Sequence, residues 1–94
     1  MVARQKFQKA LMLLDRGVLD GGEEILRDVV ADAGHESDQV ALVQGLVCLG
    51  DLLFEVGRSS EGRAFLERAL QETRHDDVLA REFARAKELL GMPG

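Results

Sequence analysis

Apolar side chains recur along this chain at intervals of three and four residues, the period that gathers them on one face of a helix. Phe7, Ala10, Leu11 and Leu14 form such a stripe and predict a first helix from about Ala3 to Asp15, stopped by Gly17. Asp20 followed by Glu23 has the spacing of a capping box and predicts the start of a second helix, with Ile25, Leu26, Val29 and Ala33 as its stripe and Gly34 as its stop. Ser37 or Asp38 is the expected cap of a third helix running to about Val56. That helix is apolar on nearly every side between Val40 and Phe54, so it belongs at the centre of the fold. Gly57 breaks it, and Ser59 or Ser60 is expected to cap a fourth, packed through Gly62, Phe65, Leu66, Ala69, Leu70 and Thr73. A fifth helix is expected from about Asp77 to Leu90, capped by Asp76 or Asp77, packed through Leu79, Phe83, Ala86 and Leu90, and ended by Gly91 and Pro93. Its other face, with Arg81, Glu82, Arg85, Lys87 and Glu88, suits the last element of a stack, which meets water on its outer side.

The first four helices also repeat themselves. Gly17 recurs as Gly57, Gly22 as Gly62, Leu13 as Leu53, Leu26 as Leu66 and His35 as His75, always forty residues later. Each copy is a helix, a glycine-marked turn and a second helix, a unit that cannot bury its apolar face alone and must stack. The copy from Leu46 to Leu70 is the better formed.

In that copy Leu46, Leu49, Gly50 and Leu53, then Gly57, then Gly62, Leu66 and Ala69 resemble the signature of the tetratricopeptide repeat, a helix-turn-helix unit of about 34 residues. The resemblance implies an all-α, right-handed stack of about five antiparallel helices, with repeat one at about 3–36, repeat two at about 43–76 and a capping helix at about 77–91, all within a single domain 1–94. It also implies that Gly50 faces the second helix of its pair. Aromatic residues are common in the family where Leu46 and Leu53 stand, and a proline often ends the unit near Arg74. In the first copy Ala10 takes the place of Gly50, Val29 that of Ala69 and Lys9 that of Leu49. An offset of forty exceeds the usual repeat by about six residues, expected either in the connection from Gly34 to Gln39 or in a backward extension of the third helix.

Members of this family receive a peptide or helix in a groove lined by the first helix of each repeat. Carried over by position, the lining here is Arg4, Phe7, Leu11, Leu14 and Asp15, then Gln44, Val47, Asp51, Phe54 and Glu55. Asp51 and Glu55 stand where relatives that clamp a C-terminal carboxylate place basic or amide side chains, so such a clamp is not expected. An apolar strip edged by carboxylates suits a basic amphipathic helix instead. The same apolar residues are otherwise core, covered by the fifth helix or by another subunit. The resemblance thus implies a protein-binding scaffold or adaptor, with a self-associating homodimer or a small secretion or assembly chaperone as the alternatives.

Composition narrows the field further. A formal charge of -5 argues against nucleic acid as partner, because phosphate binding draws on clustered Lys and Arg. The acidity concentrates between Asp15 and Asp38, where eight carboxylates face only Arg16 and Arg27, as a solvated face or as a surface that attracts a basic partner. No apolar run approaches the about 20 residues of a membrane span, and no leader pattern is present, so no membrane association and a cytoplasmic location are expected. The single cysteine, Cys48, sits in an apolar helix and reads as a small buried hydrophobe.

Candidate chemistry is sparse. His35 and His75 lie beside carboxylates, but neither has a second His or Cys at ligand spacing, so no metal is expected. The pairs Glu23–Glu24 and Asp76–Asp77 fall at helix starts, where the helix dipole favours negative charge. Gly21–Gly22 lacks the Lys-Ser/Thr continuation of a phosphate loop. No catalytic residue, cofactor or enzymatic activity is expected.

Overall fold

The computed structural model describes residues 2–72 and 77–91. Five α-helices follow one another: α1 (Val2–Asp15), α2 (Leu19–Glu36), α3 (Gln39–Glu55), α4 (Ser59–Leu70) and α5 (Ala80–Leu90), the last entered through a 3₁₀ turn at Asp77–Leu79. No strand occurs among the described residues. Each helix packs against its neighbour in sequence, and α5 closes the stack by lying against both α3 and α4. The observed architecture is therefore the all-α helical stack that the periodicity predicts.

The all-round apolar character of α3 has its explanation in this arrangement, since α2, α4 and α5 all pack against it. Val43, Leu46, Leu49 and Leu53 are fully buried, and each such leucine contributes about 1.5–3 kcal/mol relative to exposure. Two small-residue contacts set the spacing to its neighbours. A Cβ on Gly50 would lie 2.6 Å from Leu66, and one on Gly62 only 2.8 Å from the Gly50 carbonyl oxygen, so α3 and α4 touch backbone to backbone. Gly50 does face the second helix of its pair.

The turns repeat in detail. Gly17 and Gly57 both adopt left-handed backbone, with φ of 78° and 81°. The amide after each glycine reaches back to Leu13 O (2.9 Å) or Leu53 O (2.8 Å), while the glycine amide bonds Leu14 O or Phe54 O, the paired bonds of a Schellman stop. The end of α2 uses the same device one turn later than expected. Gly34 lies within the helix, and Ser37, at φ 55°, is the left-handed residue that ends it. Glycine at position 34 stops nothing, because no bond pattern there calls for positive φ.

Capping also departs from expectation in places. Asp38 caps α3 by accepting from the Ala41 amide at 3.2 Å, as one of the two expected candidates. The expected capping box of α2 is not formed: the helix begins at Leu19, Val18 occupies the cap position without a side-chain bond, and Glu23 turns outward to arginines. Likewise Arg58 rather than a serine precedes α4, which already includes Ser59 and Ser60. The extra residues of the first copy reach into the expected stretch from Gly34 but are helical and not connection, and α3 is not extended backwards beyond Gln39. They lengthen α2, which has 18 residues against 12 in α4. The expected cap Asp76, together with Thr73, Arg74, His75 and Pro93, lies outside the described residues, as does the side chain of Asp77.

Candidate functional site

The end of α1, the first turn of α2 and the last turns of α3 enclose a shallow depression of about 260 Å³. Leu11, Leu14, Leu19, Cys48 and Leu52 form its apolar lining, with Asp15, Asp51 and Glu55 at its edge. A smaller hollow of about 200 Å³ shares Leu19 and Leu52 and extends the surface to Val56 and Arg58. Leu19 and Val56 are each 40% exposed, next to Val18 at 45%. Val18, Leu19 and Val56 thus meet water at the turn end of the stack, with Leu52, only 4% exposed, at the floor of both hollows, where scattered single exposures would carry no message.

Of the eight positional candidates other than Arg4 and Asp15, the structure brings four to this strip: Leu11, Leu14, Asp51 and Glu55. The remaining four lie elsewhere. Phe7 packs half-buried against the core of Ala10, Leu26 and Leu49, and Val47 is almost wholly buried in the core. Phe54 turns towards α4, where its ring lies under Gly62 and the Arg63 guanidinium sits 5.9 Å from its centre. Gln44 is half-buried and lines neither hollow. Of the two further lining positions, Asp15 stands at the edge of the depression, and Arg4 is drawn off to Asp38.

Leu19, Cys48, Leu52 and Val56 are the apolar lining residues that positional reasoning passes over, and Asp20, Glu23 and Arg58 the charged ones. A signal for Leu19 and Val56 exists in the repeat itself. Forty residues after Leu19 stands Ser59, and forty before Val56 stands Arg16, so each copy is apolar where the other is polar.

The edge carboxylates are not equivalent. Asp51 is held by a two-pronged contact from Arg85 on α5, at 3.1 and 3.0 Å, and Arg85 also engages Glu88. The Asp51 hydrogen bond is the main cause that raises the Arg85 pKa above its ordinary value. Asp15 and Glu55 make no ion pair among the described residues. Burial pushes the Cys48 thiol up to about 11, helped by Asp51 and then Glu55, so it stays protonated and unreactive near neutrality.

Much of the acidity between Asp15 and Asp38 is absorbed in joining helices. Asp38 takes Arg4 at 2.7 and 3.1 Å, and Asp32 takes Lys6 at 2.7 Å. Glu23 meets Arg27 at 2.9 Å and Arg58 at 2.8 Å, while Glu36 accepts from the Val2 and Ala3 amides at 3.1 and 3.3 Å and so caps α1 from a distant helix. The carboxylates left without an ion pair among the described residues of this segment include Asp15, Asp20, Glu24 and Asp28.

Compared with family models, with curated proteins and with solved structures, the chain matches none. Among the described residues no three His, Cys, Asp or Glu side chains come together as a metal-binding group, and no helix is long and apolar enough to cross a membrane.

Proposed function

We propose that this chain is a protein-interaction module, a scaffold or adaptor of the cytoplasm that acts by binding and not by catalysis. Its strip of Leu11, Leu14, Leu19 and Val56 receives the apolar face of a partner's amphipathic helix, and Asp15 and Glu55 meet basic residues on that helix's edge. One observation carries the reading: apolar side chains at the turn end stand 40% exposed beside carboxylates that nothing in the described chain neutralises. Helix-in-groove recognition needs an apolar seat and a charged rim, and both are present. The tetratricopeptide-like pattern of Leu46 to Leu70 supports the same reading, since that resemblance implies a binding scaffold.

Titration with a labelled amphipathic peptide of leucine and lysine tests it. Leu19→Glu and Val56→Glu change exposed positions, so folding survives while the seat becomes charged. Each is expected to weaken binding by about tenfold or more. Wild-type affinity in both variants removes the strip from the partner interface. Self-association through this strip is the competing reading, and sedimentation of a concentration-dependent dimer abolished by Leu19→Glu would establish it instead.

A further inference from the structure

The backbones of α2 and α4 do not pack against each other. Between them runs a furrow of about 500 Å³, floored by Val30, Ala31 and Phe65 and lined by Arg27, His35 and Arg68. At the turn end it is bridged by Arg58, whose guanidinium joins Glu23 of α2 to Glu61 of α4 at 2.8 and 2.6 Å. Towards the C-terminal ends of both helices, His35 and Arg68 flank it.

The charge of this furrow runs against that of the molecule. The chain carries -5 overall, and the depressions described above are edged by carboxylates, yet every ionisable side chain lining this one is basic. Arg27 is oriented by Glu23 at 2.9 Å and lies 5.4 Å over the Phe65 ring, which leaves it a fixed, partly neutralised donor. Arg68 is exposed and makes no ion pair among the described residues. An aromatic ring beneath the Arg27 guanidinium, with Arg68 beside it, suits a ligand that offers carboxylates beside an apolar side chain.

We propose that this furrow is a second docking surface, distinct from the α1–α3 strip, and that it takes an acidic peptide segment anchored by one apolar side chain. The carboxylates meet Arg68 and Arg27, and the apolar anchor covers Phe65 and Val30. Attraction is local: beyond roughly 8–10 Å at physiological salt the excess negative charge elsewhere is screened, so the furrow acts on what is already near it. Binding is therefore salt-sensitive.

Fluorescence anisotropy of the full chain with a labelled, glutamate-rich peptide carrying a central phenylalanine tests the proposal. Its glutamine counterpart and a single-stranded oligonucleotide serve as comparison probes. The expected result is saturable binding that falls with added salt, is absent for the glutamine peptide, and weakens about tenfold in Arg68→Glu and in Ala31→Glu. Both positions are exposed, and circular dichroism checks that the helices persist. Leu19→Glu leaves this binding intact, which separates it from the first surface. Wild-type affinity in Arg68→Glu, equal binding of the glutamine peptide, loss through Leu19→Glu, tighter capture of the oligonucleotide, or no peptide binding would each overturn it.

Discussion

The two helix pairs share a turn but are held together differently. In α3–α4, Gly50 and Gly62 bring backbones into contact, with a Cβ at position 62 reaching 2.7 Å from Phe54 and 2.8 Å from a carbonyl. In α1–α2 the obstacle is a side chain and not backbone: a Cβ on Gly22 would lie 2.5 Å from Leu14 Cδ2 and 2.9 Å from its Cγ, and the nearest backbone oxygen is 3.8 Å away. What the first pair lacks in close packing it makes up in charge. Lys6 reaches Asp32, Glu36 caps the start of α1, and Arg4 ties α1 to the start of α3. The second pair is thus sensitive to volume and the first to pH and salt. Exposed apolar side chains stand at both turns, Val18 and Leu19 in the first pair and Val56 in the second.

The strongest test of this contrast compares one substitution at equivalent positions. Alanine in place of glycine gains about 1 kcal/mol of helix propensity at either site. At Gly62 that gain is overwhelmed, because the new methyl meets a backbone oxygen and a ring held on both sides, and overpacking of a rigid site costs about 1–3 kcal/mol or more. Gly62→Ala is expected to lose about 2 kcal/mol in urea unfolding. Gly22→Ala is expected to stay within about 1 kcal/mol of the parent, since half-buried Leu14 can swing towards solvent. Equal losses at the two sites would break the comparison.

Asp38 probes the charged side. Its carboxyl is held below the ordinary range, first by the hydrogen bond from Arg4 and then by the Ala41 amide, and Glu23 is lowered chiefly by Arg27. Both are depressed in the folded chain, so the stability they add is complete above the unfolded carboxyl value near pH 4 and is lost as pH falls through the lower folded values. Amide exchange measured down that range should show α1 and the start of α3 opening before the centre of α3. Asp38→Ala removes the cap and the Arg4 partner together. It is expected to cost about 1–1.5 kcal/mol at neutral pH, most of it from the cap, because an ion pair with an exposed arginine contributes little. The variant should also show a weaker acid transition.

Local periodicity made the helices legible, and the glycines at 17 and 57 marked their turns because left-handed backbone is what a Schellman stop requires there. Gly34 misled for the complementary reason: a glycine inside a helix looks the same in sequence as one that ends it. The long-range contacts were not readable. Arg4 with Asp38 and Arg85 with Asp51 are both separated by 34 residues, and no local rule selects those partners from the many charges nearby. The strip was half legible. Positional transfer reached Leu11, Leu14, Asp15, Asp51 and Glu55, whereas Leu19 and Val56 stand where the two copies disagree, and alignment by likeness passes over such positions.

The smallest predicted effect concerns the junction between the pairs. Ser37 carries the same left-handed backbone as Gly17 and Gly57, and Asp38 N–H reaches Ala33 O at 3.0 Å as the corresponding amides do in the other two turns. An L-residue pays roughly 1–2 kcal/mol to hold that conformation, partly recovered because it has less freedom than glycine to lose on folding. Ser37→Gly should therefore raise stability by about 0.5–1 kcal/mol, and Gly57→Ser should lower it by a similar amount, since a Cβ at position 57 meets nothing within 4 Å and strain alone decides. If the two changes are opposite and nearly equal, the stack uses one turn three times and the pairs differ only in how their helices are held. If Ser37→Gly instead loosens α1, the serine itself supports the charged junction beside Glu36 and Asp38, and the division between a packed pair and a charged pair extends to the turn that joins them.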